Sequence, residues 1–94
     1  MSSDVHDLEA FFAVARTRNF RRAAVEQRVS VSSLSQRLRD LEERLGIRLI
    51  NRTTRSVALT QAGDLLLARI APAMSTITDA LDQVRGLSAV LHLP

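Results

Sequence analysis

Between positions 30 and 40 the chain reads SVSSLSQRLRD, with hydroxyls at Ser32, Ser33 and Ser35, an amide at Gln36 and a guanidinium at Arg39. No base or second carboxylate stands beside these groups to make a nucleophile or an acid–base pair. They are short hydrogen-bonding tips. If the segment is a helix with Leu38 turned inward, a step of about 100° per residue sets Gln36 and Asp40 nearly opposite. Ser32, Ser33 and Glu43 share that outer side, and Arg39 lies on its flank. A face of small hydroxyls and one amide, free of bulky apolar groups, suits close approach to a DNA major groove, with tips for base edges or phosphates. Any solvated helix can carry such a face, so the pattern alone leaves a plain surface helix open.

The elements that hold this face lie within Arg21–Gly46, RRAAVEQRVSVSSLSQRLRDLEERLG. A first short pattern carries Ala23 and Ala24, small enough to admit another helix closely. A second carries Val31, Leu34, Leu38, Leu41 and Leu45 at spacings of three and four, one apolar stripe. Only Arg28, Val29 and Ser30 separate them, with Ser30 placed to cap the second helix. Two helices joined by so short a turn cross steeply, as a helix-turn-helix. Upstream, Asp4 is expected to cap a first helix running to about Arg18, with Val5, Leu8, Phe11, Phe12 and Ala15 facing the core. Phe20 stands near a hydrophobic-staple position at the start of the second helix.

Charge separates along the chain. All thirteen basic residues are arginines, and residues 15–59 hold eleven of them against four acids, while both ends are acidic. A concentrated set of planar guanidiniums favours phosphate and guanine contacts. Arg21, Arg22 and Arg39 are the candidates for backbone contact. Cysteine is absent, which removes disulfides and thiolate metal sites. His6 and His92 stand near opposite ends without acidic partners at ligand spacing, so no metal or cofactor is expected. Aromatic content of 3%, without Trp or Tyr, argues against base-stacking platforms for single strands. No glycine-rich phosphate loop or paired carboxylate suggests an enzyme. No apolar run reaches membrane-spanning length and no signal-peptide core opens the chain, so the reading is a soluble cytoplasmic protein without a membrane partner.

After Gly46, expected to end the third helix in a left-handed conformation, short apolar runs at Ile47–Ile50 and Val57–Leu59 flank a polar segment. They predict a two-stranded hairpin. Its tip carries Arg52, Thr53, Thr54 and Arg55, suited to the DNA backbone or a narrow minor groove. Arg52 is equally placed to pin the hairpin to the third helix. Thr60 is expected to cap a last helix from Gln61. There Leu66, Ile70, Ala73, Ile77, Ala80, Val84, Leu87 and Leu91 alternate by four and three, a coiled-coil seam that predicts pairing with a second copy. Pro72 should kink this helix or break it at Ala71–Pro72. The fold class is mainly α: a winged helix-turn-helix of three helices and a two-stranded wing over 1–59, a linker helix over 60–90 and a tail at 91–94.

The run FRRAAVEQRVSVSSLSQRLRDLEERLGIRLINRTTRSVALTQAG resembles the N-terminal region of LysR-type transcriptional regulators. The Phe and paired Ala, the turn and Leu-Ser of the next helix, Leu41-Glu42, Leu45-Gly46, and the Arg52, Val57, Leu59-Thr60 and Ala62-Gly63 series recur in that order across residues 5 to 88. The resemblance implies sequence-specific double-stranded DNA binding by a homodimer in the bacterial cytoplasm, at the nucleoid. It places base contacts on Val31, Ser32, Ser35 and Gln36, a minor-groove contact on Arg55, and dimerisation on the linker helix. It also implies a small-molecule inducer acting through an effector-binding domain, which this chain stops before. Three positions depart from the pattern. Val31 replaces a Gln or Pro and either meets a thymine methyl or packs inward. Gln27 replaces a buried Leu, and Arg21 a small hydroxyl. A winged helix that only binds proteins, and a sequence-blind DNA-packaging protein, remain alternatives on the residues alone.

Overall fold

Two alanines decide how closely the first three helices meet. The structure, a computed structural model, describes residues 2–52 and 56–91. Its elements are α1 (Ser2–Thr17), α2 (Phe20–Gln27), α3 (Val31–Leu45), β1 (Ile50–Asn51), β2 (Ala58–Leu59) and α4 (Gln61–Leu91). Ala23 and Ala24 of α2 are buried where this short helix packs on both α1 and α3. Around them Phe11, Val14, Leu34, Leu38, Leu49 and Ile50 are fully enclosed.

Each turn is closed by local hydrogen bonds. Arg18, at φ 55°, ends α1 by donating its N–H to Val14 O. Asn19 Oδ1 then caps α2 by accepting from Arg22 N at 3.0 Å. Arg28, at φ 57°, closes α2, and Val29 N donates to Ala24 O at 3.1 Å. Ser30 Oγ accepts from Ser33 N at 3.1 Å, the expected cap of α3. Gly46, at φ 73°, ends α3 with its N–H on Glu42 O at 2.8 Å.

Several expectations about the core need correction. Asp4 lies inside α1, which starts at Ser2, and it binds Arg44 of α3 together with Asp7. Val5 is 54% exposed, because α1 meets the core only from Leu8 onward. Phe20 is the first residue of α2 and packs directly on the core, so Asn19 alone serves the cap. Val31 and Leu45 are 43% and 52% exposed. They are the first and last residues of α3 and overrun the surface that α1 and α2 cover, leaving Leu34, Leu38 and Leu41 as the packed stripe.

The hairpin forms as expected, antiparallel with Ile50 opposite Leu59 and Asn51 opposite Ala58. Thr60 joins it to α4: its N–H donates to Leu49 O at 3.0 Å, and its Oγ1 accepts from Gly63 N at 3.1 Å. α4 is one helix through Pro72 to Leu91, about 46 Å at 1.5 Å per residue. Its first turns, through Leu66, Leu67 and Ile70, pack on the core of the same chain and therefore do not belong to a free seam. Farther along, Ala73, Ile77, Ala80, Val84 and Leu87 are exposed.

The joint between α4 and the hairpin depends on Gly63. A Cβ there would stand 2.2 Å from the Leu49 carbonyl oxygen and 3.2 Å from Leu59 Cβ. Gly63→Ala is expected to destabilise the protein by about 1–3 kcal/mol, the usual range for overpacking. Urea denaturation followed by circular dichroism checks it.

Candidate nucleic-acid interface

α3 divides cleanly between two faces. Leu34, Leu38 and Leu41 fix one side in the core, and that anchorage turns Ser32, Ser33, Gln36, Arg39 and Asp40 to solvent. Ser35 is half-buried at the edge. Val31 continues the apolar stripe past its cover, so it does not pack inward and its methyls meet solvent at the helix start. Ser32 Oγ lies 3.3 Å from Ser30 Oγ, so the hydroxyl nearest the cap is tied to it. Gln36 Nε2 donates to Asp40 Oδ1 at 2.9 Å, a contact between outward groups that i, i+4 spacing on a helix permits.

Seven of the arginines sort into two groups. Arg16 pairs with Glu26 and stands 6.0 Å from the Phe12 ring centre. Arg18 Nε donates to Ala15 O at 2.7 Å. Arg44 holds Asp4 and Asp7, and Arg52 holds Glu42. These four serve the fold. Arg21 and Arg22 at the start of α2, and Arg39 on α3, are exposed and make no ion pair among the described residues. Gln27 is half-buried, which leaves part of its amide in water.

The base of the hairpin is held by a buried carboxylate. Glu42 Oε2 accepts from Leu49 N at 2.7 Å and Ile50 N at 3.1 Å, while Oε1 accepts from Arg52 Nη1 at 2.7 Å. The pinning role for Arg52 is therefore the one its geometry supports, and 81% of its side-chain surface is covered. Nε and Nη2 of Arg52 are enclosed without a hydrogen-bond partner among the described residues. Burial alone would raise the Glu42 pKa, but the bonds from Leu49, Arg52 and Ile50 outweigh it and hold the group below its ordinary value. Thr53, Thr54 and Arg55 lie outside the described residues. Among the described residues no cluster of potential metal ligands occurs, and no helix is long and apolar enough to cross a membrane.

Residues 5–64 match the family model described as bacterial regulatory helix-turn-helix protein, lysR family. The chain belongs to the LysR family. Among curated LysR relatives, an uncharacterized HTH-type transcriptional regulator of Escherichia coli K12, YcaN, is 48% identical over 84 residues, covering 89% of this chain and 28% of that protein. The HTH-type transcriptional regulator PgrR of the same organism is 45% identical over the same shares. These relatives are transcriptional regulators rather than enzymes, and this chain spans only 28% of their length. Among solved structures, the DNA-binding domain of BenM in complex with catB site 1 DNA superposes with a TM-score of 0.75 at 27% identity. It covers 87% of this chain and 92% of that one. Vibrio fischeri DarR in complex with DNA gives a TM-score of 0.70 at 29% identity, covering 90% and 29%. The winged helix-turn-helix with a long C-terminal helix is thus the LysR arrangement.

Within this LysR domain the Glu42 clamp should be visible in stability. Its folded pKa is lowered, so its contribution is complete above the free carboxyl value of about 4.3 and is lost as pH falls through the folded value. Glu42→Ala is expected to cost about 3–5 kcal/mol by leaving Arg52 uncompensated. Glu42→Gln should flatten the acid limb of the stability–pH profile, measured by urea denaturation between about pH 3 and 7.

Proposed function

We propose that the chain binds double-stranded DNA sequence-specifically, laying α3 in the major groove as part of a dimeric LysR-type regulator. The single observation that carries this reading is the division of α3, with its leucines locked into the core and Ser32, Ser33 and Gln36 presented together. The DNA complexes of BenM and DarR, which share this fold, support it. In the proposed roles Gln36, Ser32, Ser33 and Ser35 meet base edges or nearby phosphates, and Val31 meets a thymine methyl. Arg21, Arg22 and Arg39 bind phosphates, and Arg55, with Thr53 and Thr54, serves the wing.

Residues 1–59 act as the DNA-reading unit and the helix over 60–90 as the dimerisation element. Support for the second assignment is the exposure of Ile77, Val84 and Leu87, at 54%, 63% and 57%, on one stripe beyond the turns that pack on the protomer. Water is a costly neighbour for so continuous a row. The protein acts in the bacterial cytoplasm, and inducer sensing belongs to the portion of the relatives that this chain does not span.

Gel shifts with a duplex selected from a random pool, and with its scrambled version, test the DNA assignment. Affinity should fall steeply with salt on both. Gln36→Ala should weaken the selected duplex by about 1–3 kcal/mol and leave the scrambled one nearly unchanged; equal losses would make Gln36 a phosphate contact. Sedimentation equilibrium tests pairing: the protein should be a dimer, and Val84→Asp should weaken association at least about tenfold with helicity retained.

A further inference from the structure

An acid stands among the hydrogen-bonding groups of the outer face of α3. Asp40 is exposed beside Gln36 and Arg39, with hydroxyls, an amide and a cation toward the helix start and Glu43 one turn farther on. A carboxylate near DNA phosphates repels them and lowers affinity for every sequence. Asp40 makes no ion pair among the described residues that would give it a structural reason to be there. Among the described residues its side chain makes one hydrogen bond, accepting from Gln36 Nε2 at Oδ1 at 2.9 Å.

That bond decides which way the amide faces. A carboxylate only accepts, so it must be met by the nitrogen end of the Gln36 amide and never by its oxygen. Without such a neighbour the two ends of an exposed amide exchange freely by rotation about the last side-chain bond. With Asp40 in place, one N–H is occupied, and Oε1 and the second N–H are left for a ligand. One acceptor beside one donor matches adenine in the major groove, which offers its N6 amino group and N7. Guanine offers two acceptors, O6 and N7, and would set O6 against Oε1.

We infer that Asp40 is a positioning residue for base readout: by holding the Gln36 amide in one orientation, it makes the domain prefer adenine over guanine at the base Gln36 meets. This rests on the DNA-binding reading above. The carboxylate lowers overall affinity in exchange for discrimination, a form of specificity by exclusion.

The test uses duplexes enriched by the wild-type protein from a random pool, changed from A·T to G·C at the position whose preference Gln36→Ala relaxes. Dissociation constants are compared for wild type, Asp40→Ala, Gln36→Ala and the double variant, with helicity checked for each. Wild type should favour A·T by about tenfold, within the range of one good bidentate contact. Asp40→Ala should bind both duplexes at least as tightly as wild type, with the preference reduced to about threefold or less. Adding Asp40→Ala to Gln36→Ala should not change the ratio further. A merely structural Asp40 would alter both affinities together and leave the ratio standing. A full preference in Asp40→Ala, or an equal loss of preference with and without Gln36, overturns the positioning role alone. A pool that enriches no sequence, or a Gln36→Ala that relaxes no position, overturns the DNA reading beneath it as well.

Discussion

The Glu42 carboxylate is the contact on which the layout depends. It sits on the inner side of α3, accepts the Leu49 and Ile50 N–H groups and the Arg52 guanidinium, and so ties the strand entering the hairpin to the helix that faces outward. Leu49 in turn accepts from Thr60, whose hydroxyl caps α4. Helix, wing and linker thus share one chain of hydrogen bonds that is only a few residues long. A buried anion is tolerated here because donors reach both of its oxygens.

This coupling gives the outer face of α3 its rigidity. The helix is fixed by three leucines from below, by Ser30 and Gly46 at its ends, and by Glu42 to the wing. A site built on such a helix holds its side chains to narrower geometry than one built on a loop. The exposed tips then differ in freedom: Ser32 is near Ser30, Gln36 is held by Asp40, and Arg39 makes no ion pair among the described residues.

What could be read from the residues was mostly what is encoded within one turn of chain. The Ser30 and Thr60 caps, the Gly46 stop and the three-residue turn all follow from local backbone chemistry, and each stands where expected. Contacts between distant residues were less legible. Glu42 looks like one more surface acid in RDLEERLG, and only the fold brings Leu49, Ile50 and Arg52 to it. Asp4 resembles a cap but reaches Arg44, forty positions away. Periodicity also overstated burial at element ends, at Val5, Val31 and Leu45, because a repeating pattern does not say where its cover stops. In α4 the repeat ran unbroken from Leu66, although its first turns belong to the protomer's own core.

Whether α3 meets the groove with its outer face is tested by titrating isotope-labelled protein with a selected duplex and following amide NMR shifts. The perturbed signals should cluster at Asn19–Arg22 and Ser30–Asp40, with the Gln36 side-chain amide among the largest. Shifts confined to the opposite side, around Leu45–Ile47 and Leu65–Arg69, with the Ser32, Ser33 and Gln36 signals unmoved, would contradict it.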